Sequence, residues 1–360
     1  MTQPSDFLPK SKLLRAFIYL PAKLYQLIVS LRMLLYEQQY FQAKTLSKTV
    51  ISVGNISVGG TGKTPLIEYI ARFLNEENLE TAILSRGYKR ANNTKKQLVI
   101  SDGKQMLASL LEAGDEAFML AEKLKGVKII VGANRFQTGQ LAIKDLGCDV
   151  ILLDDGFQHL KLKRDLDIVM LDATNPFDNG EMIPYGKLRE PLYGLKRAQM
   201  IVVSRADREI NRDLIFQVLS GLELNIPVFY SDHDFVGLRE LATNKPIALR
   251  KLISAKVAIL CALGNPDVFI SDLESYQAKV VSKHVFIDHH NYQQIDIDKI
   301  VLEAKEAKAE FIVTTEKDAV KLRKFSFELP VYVVEIKVSI EDESRFKSLI
   351  LKTVMKKLKT

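Results

Sequence analysis

Between Thr49 and Leu74 the chain runs through a β-branched stretch, Thr49-Val-Ile-Ser-Val53, and then Gly54-Asn-Ile-Ser-Val-Gly-Gly-Thr-Gly-Lys-Thr64. An apolar helical stretch, Pro65 to Leu74, follows. Strand, glycine-rich turn and helix in that order form the local context of a phosphate-binding loop, and such a loop is built at the edge of a parallel sheet. Gly59, Gly60, Thr61 and Gly62 would let backbone N–H groups face phosphate oxygens, helped by the positive end of the following helix. Lys63 is placed to bridge β- and γ-phosphates, and Thr64 to hold Mg²⁺ through its hydroxyl. The pattern departs from the usual one at a single place, where Ser57 stands for the first glycine.

Such a loop needs a carboxylate at the end of another strand to complete the metal shell. Val150-Ile-Leu-Leu-Asp154-Asp155 offers two, followed by Gly156-Phe-Gln-His159. One aspartate can hold Mg²⁺ and the other orient it, and the residues alone leave open which. Further strands are expected at 81–84, 127–131, 168–171 and 200–203, with helices at 63–74, 115–124 and 134–146 between them. After residue 207 the same alternation restarts, with strands at 228–230, 257–260, 281–287, 311–314 and 331–336. The expected fold class is α/β: a P-loop NTPase-type parallel sheet domain over 49–207 and a second, smaller α/β domain over 208–340.

Charge is concentrated at the two ends. The chain carries 51 Lys and Arg against 44 Asp and Glu. Residues 1–50 hold seven of those bases against two acids, and residues 351–360 hold four lysines and no acid. A near-neutral body with basic ends argues against a nucleic-acid groove and favours an anionic membrane surface as partner. Residues 1–48 are expected to form a basic amphipathic anchor of two helical pieces hinged at Pro21, and residues 341–360 a basic C-terminal helix. The longest uncharged run near the centre of the N-terminal stretch, Leu24 to Leu31, is eight residues, so an interfacial helix is expected rather than a transmembrane one. Cys148 and Cys261 stand far apart in apolar surroundings, which suits a reduced compartment and no disulfide framework.

Beyond the loop, Leu84-Ser-Arg-Gly-Tyr88, Gly114-Asp-Glu116 and Leu153-Asp-Asp-Gly-Phe-Gln-His159 can be read together. Gly180-Glu-Met-Ile-Pro-Tyr-Gly-Lys-Leu-Arg-Glu-Pro191, Gly264-Asn-Pro266, Phe286-Ile-Asp-His289 and Thr315-Glu-Lys-Asp318 extend the set. In combination these segments resemble the tetraacyldisaccharide 4′-kinase family from the basic N-terminal helix to about residue 322. The resemblance implies an enzyme that uses ATP and Mg²⁺ to phosphorylate the 4′-hydroxyl of the lipid A disaccharide 1-phosphate precursor, giving lipid IVA. It implies a site on the cytoplasmic face of the inner membrane, and a monomer is expected. It further implies Asp115 as the base, assisted by His289, with Arg86, Tyr88, Glu116, Arg135, His159 and Arg189 as substrate or phosphate contacts and Thr64, Asp154 and Asp155 around the metal. Lys89 and Ala117 depart from the family's usual glycine and proline, which touches loop geometry and no reacting group. On the residues alone, Asp115 opens a helical stretch where an acid serves as a cap.

The rival reading is a regulatory P-loop GTPase or metallochaperone-type switch. It would need an Asn/Thr-Lys-x-Asp guanine reader after a strand. Ser204-Arg-Ala-Asp207 has the wrong first two residues, and Thr315-Glu-Lys-Asp318 also fits a helix capping box.

Overall fold

The computed structural model describes residues 12–87, 97–206 and 212–358, with side chains from residue 17 onward. Tyr88 therefore lies outside the described residues, as does Asp207. In chain order the elements are α1 (Lys12–Glu37), β1 (Thr49–Asn55), α2 (Lys63–Glu76), β2 (Thr81–Ser85), β3 (Leu98–Ser101), α3 (Leu110–Ala113), α4 (Asp115–Lys123) and β4 (Lys128–Val131). Next come α5 (Arg135–Lys144), β5 (Val150–Asp154), β6 (Leu166–Asp172), β7 (Met200–Ser204), α6 (Arg212–Gly221), β8 (Val228–Glu240) and β9 (Pro246–Ile247). The last are β10 (Lys256–Cys261), α7 (Pro266–Ser275), β11 (Lys279–Val285), α8 (Gln294–Glu306), β12 (Phe311–Thr315), α9 (Glu316–Leu322), β13 (Val331–Ile340) and α10 (Glu343–Leu358).

The strands form one sheet in the order β11-β10-β12-β13-β8-β7-β6-β1-β5-β2-β4-β3, with β9 added to β8. Pairing is parallel except for β3 on β4, β13 on β8 and β9 on β8. Strands such as β1 and β5 are buried along their whole length because helices cover both faces, which is why they read as continuous apolar runs. β1 lies between β5 and β6, so the loop after β1 opens beside the acids that close β5. This is where an open parallel sheet holds its ligand.

Strand β8 bridges the two halves expected to divide near residue 208, lying between β7 and β13 in the sheet. Residues 228–231 pair parallel with β7, and residues 231–240 run antiparallel to β13. Its Phe229 shares a core with Ile51 and Leu66 of the first half and with Phe346, Ile350 and Val354 of α10. The basic C-terminal segment is thus a packed helix: its apolar residues recur every fourth position, and Lys357 is paired with Asp165 at 2.7 Å.

Helix α1 differs from the hinged anchor read from the sequence. It is one helix of 26 residues with Pro21 inside it. Proline's fixed φ is helical, and its cost is one backbone hydrogen bond, which a helix of this length absorbs. From Phe17 to Glu37 it is long and apolar enough to cross a membrane by length and composition, because Lys23 and Arg32 interrupt the apolar run without breaking the helix. Ala22 is fully buried, and Tyr25 and Val29 pack against the core around Phe157 and Leu188. Phe17, Leu20, Leu24, Leu27, Ile28, Leu31 and Leu34 are exposed on the other side.

Candidate active site

The loop between β1 and α2 is fastened from three directions. Val58 N–H donates to the Lys187 carbonyl (2.8 Å) and Arg189 N–H to that of Ile56 (2.7 Å), so segment 187–189 lies alongside it. Ser57 forms an antiparallel bridge with Leu188, a backbone role open to any residue, which accounts for the absence of glycine there. The Asn55 amide donates to Thr61 Oγ1 (3.1 Å), and the Ser204 hydroxyl to the Thr61 carbonyl (3.1 Å). Arg205, ion-paired with Asp172, donates to the Gly60 carbonyl (2.7 Å). Gly62 precedes α2 at φ 81, and a Cβ there would stand 2.6 Å from the His233 ring. At Gly59 and Gly60 the space where a Cβ would stand is open, leaving backbone exposed for an anion.

At the end of β5 the two acids have different surroundings. Asp155 is gripped by the Arg189 guanidinium through both oxygens (2.6 and 2.9 Å), and Lys63 Nζ stands 3.6 Å away. Burial pushes this carboxyl up, but Arg189 and Lys63 bring it below its ordinary range. Asp154 is buried, and among the described residues no ion pair or hydrogen bond reaches its carboxylate. Burial, with Glu116 and Asp155 adding negative charge, pushes its pKa up to about 6. Asp154 is therefore the carboxylate whose environment suits an added cation, and the Thr64 hydroxyl opens the helix that follows the loop. The donor set fits Mg²⁺ held jointly with phosphate oxygens. Gly54 is required here, since a Cβ would meet Phe157 Cβ at 2.6 Å.

The expected arginines separate. Arg189 also donates to Asn55 Oδ1 (3.1 Å), so it braces the end of β1 and Asp155. Arg135 is buried at the start of α5, its Nε without a partner among the described residues, and burial lowers its pKa to about 10 while Asp154 and Asp155 support its charge. Arg86 is exposed just beyond β2. His159 is driven down to about 4 by burial and by Arg135, Arg164, Lys161 and Arg32, so it is neutral at pH 7 within a basic wall. Arg164 in that wall is committed to Asp167, whereas Lys161 is exposed.

Asp115 is brought to His289 across 174 residues of sequence. His289 Nδ1 lies 3.3 Å from Asp115 Oδ2. Helix α4 is capped by Gly114 without any side-chain cap bond, so the Asp115 carboxylate is spent on this contact rather than on its helix. His289 sits at φ 62 in the turn after β11, a conformation few residues other than glycine adopt. His290 points elsewhere, bonded to Asp296 (3.0 Å) and stacked on Phe286. Glu116 is bound by Lys317 of α9 (2.8 Å), and its charge is felt at Asp154. The start of α4 and the His289 turn thus meet, and the field of Glu116 reaches Asp154 at the end of β5.

Comparison with known proteins gives the family. Residues 14–355 match the family model described as tetraacyldisaccharide-1-P 4′-kinase, LpxK. The chain belongs to this family. A tetraacyldisaccharide 4′-kinase of Halothermothrix orenii is 42% identical over 337 residues, covering 89% of this chain and 87% of the relative. One from Desulfotalea psychrophila is 38% identical over 333 residues, covering 92% and 94%. A crystal structure of an "apo" form of LpxK from Aquifex aeolicus in complex with ATP superposes with a TM-score of 0.77 at 31% identity, covering 95% of this chain and 99% of that one. The chain is accordingly a kinase, and the switch reading falls. Arg205, the second residue of the nearest guanine-reader candidate, is already bound to the phosphate loop.

Several residues around the candidate site are assigned no role from the sequence, although Gln158, Ser204, Arg205 and Lys317 stand inside segments already singled out. Gln158 donates to the Asn55 carbonyl and to buried Glu190 (2.6 Å each), locking the segment after Asp155 to the loop strand. Ser204 and Arg205 support the loop from β7. Lys317 and Lys321 reach the Asp115 region from a helix whose opening reads as a cap. It is one: Thr315 accepts from Asp318 N–H at 3.2 Å.

Proposed function

We propose that the protein transfers the γ-phosphoryl group of ATP to the 4′-hydroxyl of the tetraacylated lipid A disaccharide 1-phosphate, working as a monomer at the cytoplasmic face of the inner membrane. The observation that carries the reading is the Asp115–His289 contact of 3.3 Å, made next to Glu116, whose charge is felt at Asp154. A carboxylate and an imidazole in that position can take the proton of a sugar hydroxyl as it attacks phosphorus. When bound, ATP supplies the phosphoryl group and Mg²⁺ neutralises charge on its oxygens. The backbone at Gly59 to Gly62 and the Lys63 ammonium bind the phosphates, Thr64 and Asp154 hold the metal, and Asp155 is kept in line by Arg189.

The basic wall around His159, with Arg86 and Arg135, suits phosphate groups of the two substrates, and Tyr88, outside the described residues, is a substrate contact on the family resemblance alone. The exposed apolar stripe of α1 suits acyl chains and the bilayer surface, and α1 touches the site directly through Tyr25, whose hydroxyl donates to the Arg189 carbonyl (3.2 Å). Residues 49–207 carry the nucleotide side and 208–340 bring His289, so closure of the two over the acceptor would complete the site.

The test is transfer of labelled γ-phosphate to the tetraacylated disaccharide 1-phosphate in mixed micelles. Lys63→Ala should abolish turnover. Asp115→Ala should lower kcat by about 10²- to 10⁴-fold, the usual contribution of a positioned base, with the KM for ATP nearly unchanged. His289→Ala should lower it less, and the double variant should lose less than the product of the two. An Asp115→Ala enzyme that loses only ATP affinity would put the base elsewhere.

A further inference from the structure

Helix α9 presents two lysines one turn apart to the Asp115–His289 pair. Lys321 Nζ lies 3.2 Å from Asp115 Oδ2 and 3.3 Å from Asp318 Oδ1, and it donates to the His290 carbonyl at 3.1 Å. Its side chain is buried, with the Tyr292 ring 5.2 Å away. Asp318 is itself held rigidly: it accepts from Ala262 N–H (3.0 Å), the Tyr292 hydroxyl (3.0 Å) and the Thr315 hydroxyl (2.8 Å). Lys317 Nζ meets Glu116 at 2.8 Å, Asp288 at 2.9 Å and His289 Nε2 at 3.4 Å.

These contacts restrict the protonation state of the pair. An ammonium group has only hydrogens to offer, so the 3.4 Å contact with Lys317 calls for a lone pair on His289 Nε2, whereas Asp288 Oδ2, 3.7 Å from the same nitrogen, stands beyond hydrogen-bond reach. The imidazole proton then sits on Nδ1 and is donated to Asp115 Oδ2. Lys321 approaches the same Oδ2, and among the described residues no hydrogen bond is made to Oδ1. We propose that Lys317 and Lys321 are positioning residues of the phosphoryl-transfer site. Lys317 fixes the Nδ1–H tautomer of His289, and Lys321 anchors Asp115 as a carboxylate by one oxygen, leaving the other for the acceptor hydroxyl. The inference rests on the reading of Asp115 as the base.

Electrostatics point the same way. Burial alone would push the Asp115 carboxyl up, but His289 and Lys321 more than offset it, and the group lies below its ordinary range. The charged and titratable groups around it are Glu116 on α4, Lys317, Asp318 and Lys321 on α9, and Asp288, His289 and His290 in the turn after β11. Removing Lys321 takes away a cation that favours the ionised carboxylate, so the acid limb of the kcat–pH profile should move to higher pH.

The test compares Asp115→Asn, Lys317→Met, Lys321→Met, Lys321→Arg and the double variant Asp318→Asn/Lys321→Met, which removes the buried acid together with its lysine. Lys321→Met should move the acid limb up by about one pH unit and lower kcat on the order of tenfold at neutral pH, with the KM for ATP held within about twofold. Lys321→Arg should restore the limb. If Lys321→Met does not fold, the double variant carries the same expectation. Nitrogen chemical shifts of labelled His289 in the folded enzyme should show the proton on Nδ1, and on a mixture of both nitrogens in Lys317→Met. An unshifted acid limb in Lys321→Met or the double variant, with Asp115→Asn inactive, overturns the role of Lys321. A proton on Nε2 in the unmodified enzyme overturns that of Lys317. An active Asp115→Asn enzyme overturns the base reading instead.

Discussion

Replacing Leu24 and Leu27 of α1 with serine should release the enzyme from lipid without disturbing its fold. The two side chains are 58% and 64% exposed, so more than half of each remains available for burial in a bilayer. Full burial of a leucine is worth roughly 1.5–3 kcal/mol, so the unburied share of each comes to about 1–1.5 kcal/mol. The pair should then weaken membrane partitioning by about 2–3 kcal/mol, on the order of 30- to 100-fold. The cost to the folded state should stay at about 1 kcal/mol per site, from the covered share of each leucine and the few tenths by which serine is a poorer helix former. Sedimentation with vesicles containing anionic lipid measures the partition coefficient, and thermal unfolding checks the fold. Activity on the tetraacylated acceptor should fall, while activity on a deacylated, water-soluble disaccharide 1-phosphate should hold. Partitioning within about threefold of the unmodified protein, outside the range that the exposed area implies, would refute the reasoning. So would equal losses on both acceptors.

Three further outcomes are expected. With Asp154 as the proposed Mg²⁺ ligand and its pKa raised to about 6, a proton would compete with the metal, and the Mg²⁺ concentration for half-maximal activity should rise as pH falls through that value. Asp154→Asn should raise the requirement at every pH and flatten the dependence, as magnesium titrations on both sides of the pKa will show. Phe346→Ala removes a fully buried ring set edge-on against Phe229 at 5.2 Å, and it should cost about 3–5 kcal/mol in denaturant unfolding. A loss under about 1 kcal/mol would mean that α10 is not part of the core. Gly62→Ala places a Cβ against the His233 ring and forces an unfavourable positive φ, so ATP affinity measured by calorimetry should fall several-fold or more.

What could be read from the sequence was whatever chemistry forces into a contiguous pattern. The phosphate loop needs its glycines, Lys63 and Thr64 side by side, and β5 must be apolar up to its acids because both faces are covered. The edge strand β3 escaped notice because its apolar run, Leu98-Val-Ile100, is only three residues long and two of its four residues are only partly buried. The single helix α1 was hidden by Pro21, and its spanning length by Lys23 and Arg32. The packing of α10 was masked by four lysines, although Phe346, Ile350 and Val354 carry a helical period. Pairings set by topology left no local trace: Arg189 with Asp155, Asp115 with His289, and both α9 lysines with α4.

These long-range contacts run from the helix with the exposed apolar stripe to the proposed reacting groups. Lys23 of α1 is paired with Glu181 at 2.8 Å, Tyr25 donates to the Arg189 backbone, and the Arg189 side chain holds Asp155 beside Lys63. From the other side, α9 grips both Asp115 and Glu116 at the start of α4. An acceptor with its acyl chains in the bilayer keeps its sugar hydroxyl at a fixed depth. A helix seated at that surface and tied to the segment beside the phosphate loop would therefore set the distance between hydroxyl and γ-phosphate before closure begins. Phosphoryl transfer gains most of its rate from such positioning. On this view the anchor does more than raise local concentration. Lengthening the connection between α1 and β1 would leave the rate untouched so long as the contacts of Lys23 and Tyr25 persist, whereas cutting those two contacts would lower kcat even when the enzyme remains bound to lipid.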